Sequence, residues 1–375
     1  MADLFDYMKW RGDLSFSVSP LNDVDALIFA ELSYVPFDDI SGCATADGVT
    51  LGDAAAEFFK THDPENTDLG AIVPSKIVTM FYEMAKCERY KNTVMSDYVN
   101  VTSEERGEQF SAITLRFSEK ETYVAFRGTD DTVVGWEENC NMALRSPVPA
   151  QKSAVKYLNS VKVGRAGKLY VGGQSKGGNL AVYSSVKCNL GVEKYIAAVY
   201  NFDGPGFDAG FFEKDDYKAI MPRIKNVFPE ESVVGMLFEH TPDYIVVKST
   251  NKGLWQHDSL SWQVERTDFV RAAELSKMSV EIDTSFSSWL SSLSQEERGV
   301  IVPTLFGIMY STDSSTLTEL LEHKGEALKA MRALEPKKKK LLYDKLGKFL
   351  TESTGAFIGI AVKERVKELM DKIKK

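Results

Sequence analysis

The sequence predicts an α/β protein with a mainly parallel central sheet flanked by helices, followed by a helical C-terminal appendage. Between about residues 120 and 250, short apolar runs alternate with helical patterns, which is typical of parallel strands joined by crossover helices. The strand pattern fades after residue 268. The 375 residues exceed the usual length of one domain, so we expect a sheet domain over 1–268 and helices over 269–375.

The first elements are predicted to be helices and a hairpin. Apolar residues recur at helical spacing over 24–32 and again over 74–84, where Pro74 suits a helix start. The period changes to two over 113–117, and an apolar run follows over 123–126. Because Glu119-Lys120-Glu121 between them is a polar turn, these two segments predict a β-hairpin.

The middle of the chain alternates predicted helices with predicted strands. Continuous apolar runs are typical of parallel strands that are buried on both faces of a sheet. The predicted helices cover 154–161 and 177–186, and the predicted strands cover 169–171, 195–202, 226–228 and 243–248. After residue 268 the patterns are helical, including an amphipathic run over 360–373.

The composition is that of a folded protein of a reducing compartment. Apolar residues make up 43% and charged residues 26%, which excludes disordered and collagen-like classes. The acidic start does not resemble a signal peptide, and no apolar stretch reaches the length of a membrane span. The four cysteines lie far apart, so we expect neither a zinc cluster nor a disulfide scaffold, and a cytoplasmic location. We also expect no cofactor.

Charge is unevenly distributed along the chain. Residues 324–375 hold 15 Lys/Arg and 7 Asp/Glu, whereas the rest of the chain holds 30 and 47. The acidic body is expected to repel nucleic acid, so any contact with a polyanion or an anionic membrane would come through the basic C-terminal segment. The alternative interpretation of Lys337–Lys340 is a solvated helix start after Pro336.

One segment carries the pattern of a nucleophile. Gly173-Gln174-Ser175-Lys176-Gly177 fits G-x-S-x-G, with the predicted strand before it and the predicted helix after it. A serine on a sharp strand-to-helix turn needs small neighbours, and the helix start adds positive potential for an oxyanion. The alternative is a glycine-rich turn whose serine only caps the helix. We predict Ser175 as the nucleophile.

A serine nucleophile needs a base, and the chain has four histidines. His62 and His323 lie in polar stretches outside the predicted sheet. His240 and His257 both follow the serine, as the chain order nucleophile, acid, histidine requires. We favour His257, because it lies in a loop after the predicted strand 243–248, whereas His240 lies beside Glu239 in a predicted surface loop.

Two residues are candidates for the acid of the triad. Asp203 ends the predicted strand 195–202, and Glu231 follows the next predicted strand. Either carboxylate would hold the histidine in the right tautomer. The alternative for Asp203 is an Asx turn before Gly204-Pro205-Gly206.

Phe126-Arg127-Gly128-Thr129 follows the strand over 123–126, and Thr129 offers oxyanion donors there. Together with the serine segment Gly173–Gly177 and with Asn201–Gly206, this segment resembles the class 3 (fungal-type) lipases. The resemblance is closer to the Mbeg1-like branch of the α/β-hydrolases, and it covers about residues 5–265. The resemblance implies an α/β-hydrolase fold with Ser175 as nucleophile and His257 as base. It also implies an oxyanion hole made by Thr129 and the backbone N–H of Lys176.

Three residues depart from the lipase pattern. Gln174 replaces a histidine, Lys176 an apolar residue, and Asp203 a glycine. In the lipases the acid is an aspartate in a D-x-V-P segment, and Glu231-Ser232-Val233-Val234 stands at the corresponding place here. The triad acid therefore stays open between Asp203 and Glu231.

The resemblance implies a serine hydrolase that cleaves carboxylic esters through an acyl-enzyme. The segment 136–142, where a lipase would carry an apolar lid, is largely polar and favours small or water-soluble esters. The basic C-terminal segment favours lipid esters at a membrane surface instead. The alternative function is a hydrolase-fold binding protein with weak or no turnover that docks on a membrane or a partner through its basic C-terminal helices. An acyltransferase is a third interpretation.

Overall fold

The protein has an α/β fold built on an eight-stranded sheet, as seen in a computed structural model. The structure describes residues 1–352 except 71–72, 143–145, 165 and 311–323. The strands lie in the sheet in chain order: β1 (Val49–Thr50), β2 (Val94–Ser103), β3 (Glu108–Arg116), β4 (Glu121–Phe126), β5 (Lys168–Gln174), β6 (Ile196–Phe202), β7 (Ile224–Pro229) and β8 (Ile245–Val247).

The sheet has an antiparallel part and a parallel part. The pairings from β1 to β4 are antiparallel, and those from β4 to β8 are parallel. The predicted hairpin is β3–β4, and the four predicted strands of the middle of the chain are β5 to β8. The sequence did not predict β2, whose alternation is broken by a register shift between Ser96 and Val99 and by a positive φ of 54° at Asp97.

The described helices flank the sheet or follow it. They are α1 (Leu4–Arg11), α2 (Asp23–Leu32), α3 (Leu51–Phe58), α4 (Lys76–Lys86), α5 (Val133–Met142), α6 (Pro149–Ser160), α7 (Lys176–Lys187), α8 (Leu190–Glu193), α9 (Ala209–Phe212), α10 (Asp215–Ile220), α11 (Lys277–Ser291), α12 (Gln295–Tyr310), α13 (Lys324–Ala333) and α14 (Pro336–Glu352). The predicted helices over 24–32, 74–84, 154–161 and 177–186 correspond to α2, α4, α6 and α7.

The sheet separates two apolar layers. Tyr123 and Ala125 of β4 face a core with α1, α2 and α4, and the alternate residues Val124 and Phe126 face a core with α6 and α7. A strand buried on both faces reads as a continuous apolar run, which is why its sequence predicted it. The carboxyl ends of β4, β5 and β6 therefore lie side by side between two covered faces.

The C-terminal helices form a smaller apolar cluster that includes Leu293, Ile301, Ile308 and Leu342. Helix α12 packs against α5, α13 and α14. The start of α14 at Pro336 agrees with the predicted helix start before Lys337–Lys340. The predicted amphipathic run over 360–373 lies outside the described residues. The domain boundary at residue 268 stays a prediction.

No helix among the described residues is long and apolar enough to cross a membrane.

Candidate active site

The turn between β5 and α7 holds Ser175 in a strained conformation. Strand β5 ends at Gln174, helix α7 begins at Lys176, and Ser175 between them has φ 59° and ψ −134°. A residue other than glycine in this region costs about 1–3 kcal/mol, and such strain concentrates at functional sites. The geometry is that of a nucleophile elbow, which presents the serine at the end of the strand.

Two glycines make the elbow sterically possible. A Cβ on Gly177 would lie 2.1 Å from the carbonyl oxygen of Phe126, and a Cβ on Gly173 would lie 2.4 Å from the carbonyl carbon of Gly177. Neither position accepts a side chain without moving backbone. The glycines of the motif therefore let β5, α7 and the end of β4 approach each other around Ser175.

The structure brings His257 and Asp203 together. His257 ends the 3₁₀ turn Gly253–His257, which follows β8, and its Nδ1 lies 2.6 Å from Oδ2 of Asp203. Asp203 is completely buried at the end of β6. Its other oxygen, Oδ1, accepts hydrogen bonds from Ser232 Oγ at 2.5 Å and from the backbone N–H of Gly235 at 3.2 Å. Two donors thus hold this carboxylate against the imidazole.

Glu231, the other candidate acid, binds the loop that carries His257. Its Oε2 accepts from the backbone N–H of Gly253 at 2.5 Å and from Gln256 Nε2 at 3.1 Å. The backbone N–H of Glu231 donates in return to Gln256 Oε1 at 2.9 Å. Glu231 therefore contacts the start and the middle of the 3₁₀ turn, while Asp203 contacts the imidazole.

The other histidines lie elsewhere. His62 stacks on Phe58 with ring centroids 4.0 Å apart, and its Nδ1 contacts the Phe58 carbonyl oxygen. His240 packs beside Phe228 and Tyr244. His323 lies outside the described residues.

Gln174 links the elbow to the histidine, a contact that the sequence did not predict. Its Oε1 accepts a hydrogen bond from the Tyr34 hydroxyl at 2.7 Å, which turns its amide nitrogen toward His257. Nε2 donates to the His257 carbonyl oxygen at 2.8 Å and lies 3.3 Å from His257 Nε2. The only signal in the sequence was that Gln174 replaces the histidine of the lipase motif.

Thr129 lies on a loop that touches the elbow directly. A Cβ on Gly128 would lie 2.0 Å from the Tyr34 hydroxyl and 2.8 Å from the Gln174 carbonyl oxygen, so only glycine fits there. Phe126 at the end of β4 pairs with Gly173 of β5, which places Thr129 beside the serine turn. Asn139 of α5 donates from Nδ2 to Thr129 Oγ1 at 2.6 Å.

The Lys176 side chain is completely buried, although the sequence assigned a role only to its backbone. Its Nζ donates to Glu138 Oε2 at 2.6 Å and to the backbone and side-chain oxygens of Gln109 at 2.5 and 2.8 Å. Burial lowers the pKa of Lys176, and the Glu138 carboxylate opposes that shift. The first residue of α7 is thus held by an ion pair to α5.

Glu138 lies in the polar segment 136–142, where the sequence analysis looked for a lid. It is completely buried, and its two oxygens also accept from the backbone N–H groups of Gln109 and Ala150 at 3.1 and 2.7 Å. The segment is therefore polar partly because it contains a buried ionic residue, and not only because it faces water. Its polarity supports water-soluble esters less than the sequence suggested.

No group of three or more His, Cys, Asp or Glu side chains among the described residues is placed to hold a metal ion.

Comparison with family models matches residues 84–307 to Mbeg1-like proteins. The chain belongs to the Mbeg1-like family. This match covers the elbow, Asp203 and His257. No curated protein matches this Mbeg1-like chain.

Two lipase structures are similar to the Mbeg1-like chain. The M37 lipase is 16% identical, with a TM-score of 0.34 over 57% of this chain and 68% of its own. The Rhizomucor miehei lipase in its propeptide complex is 14% identical, with a TM-score of 0.36 over 60% of this chain and 67% of its own.

Proposed function

We propose that this protein is a serine hydrolase that cleaves carboxylic esters through an acyl-enzyme. The observation that carries the proposal is the combination of Ser175 at φ 59° on a strand-to-helix turn with a histidine whose Nδ1 lies 2.6 Å from a buried carboxylate. Backbone strain at a serine and a buried, hydrogen-bonded Asp–His pair do not stabilise the fold in an obvious way, and both are typical of active sites.

In the first half of the reaction, Ser175 Oγ attacks the ester carbonyl carbon and its proton passes to His257 Nε2. The carbonyl oxygen becomes an oxyanion and takes hydrogen bonds from Thr129 and from the backbone N–H of Lys176. The intermediate collapses to an acyl-serine, and the leaving alcohol takes the proton from His257. Throughout, Asp203 accepts a hydrogen bond from His257 Nδ1–H and stabilises the imidazolium without taking its proton.

In the second half, His257 removes a proton from water, which attacks the acyl carbon. The second oxyanion is held by the same donors, and its collapse releases the carboxylic acid and returns the proton to Ser175 Oγ. The positive end of α7 favours negative charge at this point.

The decisive experiment is labelling with a fluorophosphonate, followed by intact mass. We expect a single adduct on Ser175 that is absent in Ser175→Ala and much slower in His257→Ala. Asp203→Asn is expected to lower the labelling rate by about 10³–10⁴-fold, because the histidine loses its tautomer and its counter-charge. Glu231→Gln is the matched control and is expected to change the rate less than tenfold. A larger effect at Glu231 than at Asp203 would assign the acid to Glu231.

A second candidate function is a hydrolase-fold binding protein with little turnover. It is favoured by the Gln174 amide, which lies 3.3 Å from His257 Nε2, the atom that must take the serine proton. If the folded wild-type protein forms no adduct, the binding function is supported and the hydrolase is excluded.

A further inference from the structure

The side-chain amide of Gln174 reaches two atoms of His257. Its Nε2 lies 2.8 Å from the His257 carbonyl oxygen and 3.3 Å from the ring nitrogen Nε2. A carbonyl oxygen only accepts hydrogen bonds, so the group beside it is the amide NH₂ and not the amide oxygen. One amide hydrogen binds the carbonyl oxygen. The second hydrogen is left on the side of the imidazole.

The amide oxygen of Gln174 is held from the other side by Tyr34. The Tyr34 hydroxyl donates to Oε1 at 2.7 Å, and both residues are buried. Burial holds the pKa of Tyr34 well above its usual range, so its hydroxyl stays a donor at neutral and acidic pH. An amide does not titrate in this range. The group that faces the histidine ring is therefore a donor throughout.

The second ring nitrogen of His257 fixes what Nε2 can do. Nδ1 lies 2.6 Å from the Asp203 carboxylate, which accepts, so Nδ1 carries a hydrogen. In the neutral ring Nε2 is then an acceptor and suits the amide donor of Gln174. In the imidazolium Nε2 also carries a hydrogen, which would face the amide hydrogens. Gln174 therefore favours the neutral ring over the charged ring.

The titratable groups that surround His257 act mainly in the opposite direction. They are the carboxyls of Asp203 at Nδ1, of Asp258 beside it, of Glu231 on its turn and of Glu31 bound to Ser259, together with Lys76 near Asp258 and the exposed Lys252. Negative charge close to an imidazole favours its protonation. A donor at Nε2 opposes this effect, so it helps the histidine to remain a base as the pH falls.

We propose that Gln174 is a positioning residue that keeps His257 neutral and thereby extends the activity of the site to more acidic pH. This inference rests on the proposed ester hydrolysis, in which the neutral ring takes the proton of Ser175. It also accounts for the departure of Gln174 from the lipase pattern. A histidine at this position would itself take up a proton in the same pH range.

The test is Gln174→Glu, because this change keeps the shape of the side chain and replaces the donor with an acceptor. The introduced carboxylate would bind the imidazolium at Nε2, so the ring would take up its proton at higher pH. We expect the acidic limb of the pH profile of kcat/KM for a soluble ester to move up by about 1–3 pH units. Gln174→Met removes the donor without adding an acceptor and should move the limb up by less than about one unit.

Asn251→Asp is the matched control. Asn251 also donates from its amide to a carbonyl oxygen of the same turn, that of Trp255 at 2.9 Å. The change adds the same charge and removes the same kind of hydrogen bond, but at the Trp255 carbonyl instead of the His257 ring. We expect the acidic limb to stay within about 0.3 pH unit of wild type, because water and salt screen an exposed charge.

Nitrogen NMR of the His257 ring measures its protonation without turnover. We expect the titration midpoint to move up in Gln174→Glu together with the acidic limb. A midpoint that stays or falls in Gln174→Glu or in Gln174→Met would overturn the inference, and so would an equal rise in Asn251→Asp. A lower plateau of kcat/KM with an unmoved limb would assign Gln174 a structural role only.

Failure of the hydrolase proposal has a different signature. The wild-type protein would then form no fluorophosphonate adduct on Ser175, while the His257 midpoint would still move in Gln174→Glu. A wild-type adduct with an unmoved midpoint rejects the inference about Gln174 alone.

Discussion

Two ion pairs in the described part of the chain have both side chains completely buried, and they differ in what they hold together. Asp25–Arg89 joins α2 to the segment after α4, and Glu138–Lys176 joins α5 to the turn that carries Ser175. All four side chains are completely buried. A buried charge is tolerated only when every donor and acceptor around it is used. Both pairs meet this condition, but with different cations.

Arg89 satisfies its charge through many rigid contacts. Its Nε and Nη2 bind the two oxygens of Asp25 at 2.7 and 2.5 Å, and its remaining donors reach backbone carbonyl oxygens of Leu14, Ser19 and Pro20. A guanidinium does not lose its proton inside a protein. This pair is therefore a permanent connection between N-terminal segments, far along the chain from Ser175.

Lys176 satisfies its charge with three acceptors from two residues, Glu138 and Gln109. Unlike arginine, a lysine whose pKa is lowered by burial can become neutral when its counter-charge is removed. The comparison teaches that the arginine pair is placed where only rigidity matters. The lysine pair lies where the first residue of α7 is held next to Ser175.

The largest stability loss is expected from Asp25→Asn. The change leaves the Arg89 charge buried without a counter-charge, and breaking such a pair costs about 3–5 kcal/mol. Urea unfolding should report this loss, while the fluorophosphonate labelling rate per folded molecule stays within twofold of wild type. A labelling rate that falls together with stability would contradict the division of roles between the two pairs.

Glu138→Gln is expected to cost less stability but to affect the site. Lys176 can shed its proton, so we expect a loss of about 1–3 kcal/mol. The labelling rate should fall about tenfold, equivalent to about 1.4 kcal/mol, because the amide nitrogen of the new side chain faces a donor in either orientation. That donor is the N–H of Ala150 on one side, or the N–H of Gln109 and the Lys176 ammonium on the other.

The pH dependence of these two variants sharpens the comparison. With a lowered pKa, Lys176 in folded Glu138→Gln binds fewer protons than in the unfolded chain, so the unfolding free energy rises with pH until the ordinary lysine pKa is reached. A smaller rise is expected in Asp25→Asn, because there the Glu138 carboxylate still opposes the lowering of the Lys176 pKa and arginine does not titrate in this range. Parallel pH curves for the two variants would show that Lys176 stays charged.

Glu31 is a buried carboxyl that belongs to neither ion pair, and it provides a further test. Burial raises its pKa to about 8 from the ordinary 4.5, and the hydrogen bond from Ser259 Oγ only partly opposes this. Between these values the folded protein keeps a proton that the unfolded chain releases. The unfolding free energy should therefore fall as pH rises through this window, by up to about 1.4 kcal/mol per pH unit.

Glu31→Gln should remove this slope, because the amide does not titrate. Urea unfolding of both proteins at several pH values between 5 and 8 measures it. If the unfolding free energies of the two proteins keep the same slope with pH, Glu31 is ionised in the folded protein, and the expectation of a buried neutral carboxyl is wrong.

The sequence alone determined the fold class and the strand-to-helix turn at Ser175. Strands buried on both faces require continuous apolar runs, so β5 to β8 were predictable, and Gly173 and Gly177 are demanded by the close approach of backbone around Ser175. Strand β2 was not predicted, because its bulge and the turn at Asp97 interrupt the alternation of apolar and polar residues on which the prediction depends. His257 was chosen from its place after the last strand, which also depends only on local order.

Only the tertiary structure decided which side chains meet. Asp203 and Glu231 were equal candidates by sequence, and the fold places Asp203, 54 residues before His257, at its Nδ1. Lys176 departed from the lipase pattern, and its partner Glu138 lies 38 residues away in a segment that resembled a polar surface. Local patterns follow from the backbone and the solvent. Pairing between distant polar groups follows from how the elements pack, because only packing removes the water that would otherwise bind each group.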